Sequence, residues 1–434
     1  MRTPSRFWPR FLAVSDPRPV APGGLLDRRA VLKGLAAMSA VSAVPARAED
    51  DARLAAAMPW QKTAGKPMSG YGTPSSHEGH VLRTTYTRYG AIALGNGGSF
   101  TPLHQLEGTI TPSGLHFERH HHGVPDIVPA RHRLVLHGLV DRPLEFRVED
   151  LLRYPMESRV LFIECSGNSF RNTLGKPAQV SCGEIHGLVS NSEWTGIPLS
   201  VLLDEAGVQT GARWVIAEGA DAATMARSIP LEKALDDTLV ALYQNGERLR
   251  PEQGYPLRLV LPGFEGNMCV KWLHRLKLAD GPQHSRDETS HYTDLLPDGR
   301  ALQFTFEMGV KSVITQPSAG RSLPGPGYYD IAGFAWSGAG RVRTVEVSAD
   351  AGRTWVPAAL TGDASSHTLV RFRIPWHWDG QPATLMSRAT DERGQGQPTR
   401  SEWLARYGAN QRYHCNAIQA WAVDDMGEIA NVFV

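Results

Sequence analysis

Cysteine is scarce in this 434-residue chain: only Cys165, Cys182, Cys269 and Cys415 occur, and no two of them form a Cys-x-x-Cys pair. A zinc ribbon is thereby excluded, and so is a covalently attached c-type haem, which needs Cys-x-x-Cys-His. Any haem that works with this chain has to come from another subunit. Charge excess is missing as well. With 45 Lys and Arg against 44 Asp and Glu, the formal net charge of +1 gives no global attraction to nucleic acid. Beyond residue 48 no stretch approaches the roughly 20 apolar residues of a membrane-spanning helix. Three adjacent histidines, His120, His121 and His122, point alternately in an extended chain, so by themselves they do not converge on one metal.

What is abundant is glycine and proline, 43 and 30 residues, which suits a loop-rich globular protein of two or three domains with much β-structure. The N-terminus reads as a targeting segment over residues 1–48. Paired arginines stand in Asp27-Arg28-Arg29-Ala30-Val31-Leu32-Lys33, a mildly apolar stretch follows to Val44, and Ala46-Arg47-Ala48 fits a signal-peptidase site. Together they look like a twin-arginine export signal and predict a soluble, periplasmic mature protein. Cys182, Cys269 and Cys415 are expected as free, buried thiols, since a large domain has little need of disulfide staples.

The fourth cysteine stands apart. Val160-Leu161-Phe162-Ile163-Glu164 is rich in β-branched and apolar residues and runs into Cys165-Ser166-Gly167-Asn168, so a buried strand delivers a thiol to the start of a loop. From these residues alone, a metal ligand, an acyl nucleophile, half a disulfide and a small core residue all stay open. A short helix is expected between Pro198 and Gly207, with Trp194 packed before it. A strand over Arg213–Ala217 delivers Glu218-Gly219-Ala220-Asp221 to a loop. Asn245-Gly246 predicts a tight hairpin after Leu239–Gln244.

In order along the chain, Phe117-Glu118-Arg119-His120-His121, the Cys165-Ser166-Gly167-Asn168 run, Asp221, Arg258, Val270-Lys271-Trp272-Leu273 and Tyr292 resemble the sulfite oxidase family of molybdenum enzymes. The resemblance implies a molybdenum–molybdopterin cofactor with Cys165 as the metal ligand. It places Phe117, Glu118, Arg119, His120, His121, Asp221, Arg258, Val270 and Lys271 against the pterin, and Arg119 and Tyr292 beside Cys165 as catalytic residues. The sequence departs from the family at His120, where Asn is usual, and at Gln253 and Cys269, where His is usual. A fixed fork of guanidinium donors suits an oxyanion or phosphate, which is the physical sense of Arg119 and Arg258.

From Lys311 the texture changes to short alternating runs such as Val342–Val347 and Val370–Ile374, separated by Gly-containing turns. That pattern predicts an antiparallel β-sandwich. The expected architecture is therefore β-rich α+β: a mixed α/β molybdopterin-binding oxidoreductase domain over 49–310, then an immunoglobulin-like dimerisation domain over 311–434. Sulfite enzymes crowd the pocket with arginines, yet Phe170 stands where one is common, and Asn416–Gln419 lacks a second; Arg171 is a candidate for partial compensation. A less cationic pocket resembles the sulfane dehydrogenase branch. That branch oxidises sulfane sulfur on a carrier-protein cysteine, passes electrons to a dihaem cytochrome c subunit, and implies a homodimer of this chain within a heterotetramer. A sulfite dehydrogenase with a separate cytochrome is the alternative. A reductase acting in reverse and a secreted β-rich binding module are the remaining readings.

Overall fold

The structure is a computed structural model and describes residues 19–26, 61, 63–64, 67–87, 95–362, 365–409 and 411–434. Arg28, Arg29 and Ala46–Ala48 lie outside the described residues. Among those described, no helix is long and apolar enough to cross a membrane.

Among the described residues four sheets precede residue 310, the smallest being the two-stranded pair Asp294–Leu295 and Ala301–Leu302. A small one joins Thr84–Thr87, Gly97–Phe100 and Glu118–His120. A second orders Glu247–Arg248, Leu239–Gln244, Val189–Pro198 and Glu157–Glu164, with Arg258–Val260 also paired to Leu239–Gln244. The third runs Leu144–Arg147, Arg133–Gly138, Leu273–Ala279, Trp214–Gly219 and Ala226–Pro230. In it only Leu273–Ala279 against Arg133–Gly138 is parallel. Turn chemistry behaves as the residues predict. Asn245 and Gly246 take positive φ of 49° and 81° in the two-residue hairpin loop, and helix Leu199–Ala206 starts after Pro198 and ends at Gly207 with φ 71°. Trp194 is buried in the core and donates its indole N–H to the Leu161 carbonyl.

From Lys311 onward the chain is a β-sandwich. One sheet orders Lys311–Gln316, Gly327–Trp336, Val370–Trp378 and Ala359–Thr361; the other orders Val356–Pro357, Val342–Ser348, Ala383–Asp391, Ala420–Val423 and Ile429–Val432, with every pairing antiparallel. Cys182, Cys269 and Cys415 are free and buried.

Strand Glu157–Glu164 joins the two parts. Successive side chains on a strand face opposite ways, so Leu161 and Ile163 enter the core of the first part, while Phe162 enters the core of the sandwich. Glu164 follows Phe162 toward the sandwich, and Cys165 follows Ile163 toward the first part. The position of the thiol is thus a matter of strand parity.

Candidate active site

Cys165 is the first residue after its strand, and its backbone N–H donates to the Leu188 carbonyl at 2.9 Å. Behind it, Glu164 is buried. Its carboxylate accepts from Asn168 Nδ2 at 2.8 Å, from Lys311 Nζ at 3.2 Å and from the Trp336 indole N–H at 2.6 Å. Two of those three donors belong to the sandwich, so the second part of the chain braces the cysteine loop. Lys311 is itself buried and also donates to Ser169 Oγ at 2.6 Å and the Cys415 carbonyl at 2.8 Å.

In front of Cys165 lies a cleft. Phe117, Arg119, His120, His121, Cys165, Asp221, Arg258, Val270, Lys271 and Tyr292 all line it. Glu118 stands one layer back, where it pairs with Arg83 and with His120 Nε2 at 2.8 Å. Burial would raise the Glu118 pKa, but His120 and Arg83 outweigh it and hold the carboxyl low. Gln253 and Cys269 also line the cleft, so both departures from the family pattern remain at the wall. Gln253 donates to the Phe117 carbonyl, and Cys269 Sγ takes the Leu261 N–H.

The far end of the cleft is cationic without compensation. Buried Arg258 donates to the carbonyls of Gln253, Leu259 and Cys269. Lys271 donates to His120 Nδ1 at 2.8 Å and to the carbonyls of Arg119 and Glu252. Among the described residues neither cation has a carboxylate within ion-pair distance. Burial pushes Arg258 down to about 10 and holds Lys271 well below its ordinary value, with Arg258 adding to the effect. Desolvating a charge costs several kcal/mol unless it is paired, so the pair calls for an anionic ligand group. Gly254, at φ 108°, lets its loop close on both: a Cβ there would lie 3.1 Å from Cβ of Arg258 and of Lys271. On the opposite sign, Asp221 is buried in the cleft wall with Oδ1 lacking a hydrogen-bond partner, a ready acceptor for ligand N–H groups. Buried His116 likewise keeps an unpartnered Nε2. A phosphate at one end and a nitrogen-rich ring along the wall is the donor and acceptor set a pterin requires, and the residues fit that group.

Beside the thiol, burial raises the Cys165 pKa, opposed by the Gly167 N–H and by Arg119. Tyr292, at φ 54°, places Oη 2.9 Å from His121 Nε2. Burial pushes the Tyr292 phenol far up and His121 down to about 3.

Several groups here escape a reading of the sequence. The Arg227 guanidinium lies 5.2 Å from the Tyr292 ring centroid and is ion-paired with Glu265 at 2.9 Å, both fully buried. Glu265 also faces the His414 ring Nε2 at 3.4 Å, and the His414 backbone N–H donates to the Ser166 carbonyl. Burial would lower His414, but Glu265 lifts it above the usual value. Tyr413 packs on Tyr292 with ring centroids 5.4 Å apart. The only local hint was acidic Glu265 inside Pro262-Gly263-Phe264-Glu265-Gly266. Phe170 and Arg171 do not line the cleft, because Ser169 in the left-handed region starts a 3₁₀ turn that carries them away. Arg171 therefore does not replace a missing arginine. Gln419 is buried away from the cleft on Asn172, His186 and Asn431.

Residues 121–286 match an oxidoreductase molybdopterin binding domain, and residues 303–421 match a Mo-co oxidoreductase dimerisation domain. The chain is 34% identical over 279 residues to sulfite oxidase of Gallus gallus, covering 58% of this chain and 59% of that protein. It is 32% identical over 351 residues to nitrate reductase [NADH] 1 of Arabidopsis thaliana, 70% of this chain and 37% of that one. The chain thus spans about half the length of these curated relatives. The crystal structure of the sulfane dehydrogenase SoxCD from Paracoccus pantotrophus superposes with a TM-score of 0.84 and 46% identity, covering 87% of this chain and 97% of that chain. With a cysteine-headed cleft built for a pterin and a β-sandwich behind it, the chain belongs to the sulfite oxidase family of molybdopterin oxidoreductases.

Proposed function

We propose that this chain is the molybdenum subunit of a periplasmic sulfane dehydrogenase, exported by the twin-arginine route. It oxidises sulfane sulfur held on a carrier-protein cysteine and passes electrons to a separate dihaem cytochrome c subunit. Two copies pair through the sandwich, as the match to a dimerisation domain supports. The observation that carries the substrate reading is the charge beside the thiol. Arg119 is the cation acting on Cys165, whereas Arg258 and Lys271 are engaged at the pterin end and Arg171 is turned away. Arg227, near the Tyr292 ring, is neutralised by Glu265, so a reactive end with one unneutralised guanidinium suits a larger, less charged substrate than a small dianion. The 46% identity to a sulfane dehydrogenase supports the same choice.

Cys165 would hold the metal as a thiolate, the form coordination favours. Arg258 and Lys271 would bind the phosphate end, and Asp221 would accept from ring N–H groups. When bound, the molybdenum–pterin group supplies two-electron oxidation of a sulfur lone pair by oxygen-atom transfer. Arg119 would present its guanidinium to the negatively charged terminal sulfur of the substrate. Tyr292 keeps its proton and His121 is neutral at ordinary pH, so one hydrogen bond between Oη and Nε2 holds the phenol in place beside the substrate.

Anaerobic reduction of the purified holoprotein, by sulfite alone and by a persulfidated carrier, tests this reading. Rapid reduction by the carrier only is expected. Rapid turnover of free sulfite would establish the second reading, a sulfite dehydrogenase, which the likeness to sulfite oxidase favours.

A further inference from the structure

Strand Val370–Trp378 is covered unequally. Along one side it pairs with Gly327–Trp336 over its whole length, from Gly327 opposite Trp378 to Ala335 opposite Val370. On the other side Ala359–Thr361 reaches only Arg371–Arg373. The edge from Ile374 to Trp378 would then present free N–H and C=O groups beside two tryptophans, a template for pairing with another chain.

Residues 20–26 occupy that edge. Leu25 bridges Trp376 in antiparallel register, with the His377 N–H donating to the Gly24 carbonyl at 2.8 Å and the Leu26 N–H to the Pro375 carbonyl at 3.0 Å. The Trp376 indole N–H donates to the Gly23 carbonyl at 2.5 Å, and the Val20 N–H closes the segment on the Leu25 carbonyl at 2.9 Å. Leu25 and Leu26 are 0% and 1% exposed, and Leu25 belongs to the sandwich core. Close seating depends on glycine: a Cβ on Gly24, at φ 87°, would lie 1.9 Å from the His377 carbonyl oxygen. In sequence the segment ends two residues before Arg28-Arg29, so on the export reading it belongs to the leader.

We propose that leader residues 20–26 are a built-in strand cap. While the leader is attached, they close the Ile374–Trp378 edge and tether the arginine pair to the folded sandwich. The capping contact stands on geometry alone; only the name leader for residues 20–26 rests on the export reading given above.

Hydrogen exchange on the full-length chain tests the contact independently of that reading. Wild-type Leu26 and His377 amides are expected to exchange at least about tenfold more slowly than in an unstructured peptide. Gly24→Ala is expected to speed both by about tenfold while the Phe372 and Ile331 amides, inside the same sheet, stay unchanged. Leu26→Asp is expected to do the same at a position outside the backbone clash. A wild-type Leu26 amide exchanging at the free-peptide rate would overturn the proposal. Unaltered His377 protection in both variants would do so too. Neither result bears on whether the leader directs export.

Discussion

At the scale of single residues, the site is read from chemistry that a side chain keeps wherever it lies. The thiol after a strand is visible in the sequence as such, while the guanidinium in Phe117-Glu118-Arg119 and the cations Arg258 and Lys271 are marked by their resemblance to the family's motifs, with a chemistry that suits an oxyanion or phosphate. Arg227, Glu265, His414 and Tyr413 were not visible, since their importance lies in contacts between residues far apart in the chain. Cys165→Ser replaces one sulfur by oxygen with no change in strand parity. The variant should keep its circular dichroism spectrum and melt within about 4 °C of wild type, and its turnover with a persulfidated carrier should vanish. Undiminished turnover in that variant would remove the thiolate from the mechanism.

At the scale of elements, the strand that ends at Glu164 feeds two cores and ends in a buried ion pair with Lys311, the first residue of the first sandwich strand. The strands themselves were legible, because β-branched runs and turn residues are local signals. Their pairing across the two parts was not, because nothing within ten residues of Glu164 specifies Lys311 or Trp336. Removing one member of a buried pair leaves an uncompensated charge, at a cost of about 3–5 kcal/mol. Lys311→Met should therefore lower the urea midpoint sharply, and Glu164→Gln/Lys311→Met should recover part of the loss. A double variant as unstable as the sum of the two single variants would show that the charges do not act on each other.

At the scale of the whole molecule, burial holds several histidines neutral, three of them in the cleft wall. His116 and His121 are pushed down to about 3 and His120 to about 4, each mainly by burial, and His186 lies well below its usual value for the same reason. A histidine whose folded pKa is depressed leaves the unfolded chain binding more protons between the two values. The stability it contributes is complete above about pH 6.5 and drains away as pH falls through about 4 and then 3. His414 acts in the opposite sense, since Glu265 raises it, but it is one group against four. The urea midpoint of the cofactor-free chain should fall steadily from pH 7 to pH 4; an unchanged midpoint over that range would contradict neutral burial of these rings. The sequence by itself determined the two-part, β-rich architecture, because strand periodicity and turn residues are local properties, and the resemblance of its motifs to the family's marked most cleft-lining residues. Only the tertiary structure decided that the sandwich braces the cysteine loop, that Arg258 and Lys271 lack a carboxylate partner, and that residues 20–26 cap a sheet edge. Those are matters of which distant surfaces meet in water-excluding contact, and no short stretch of chain encodes them.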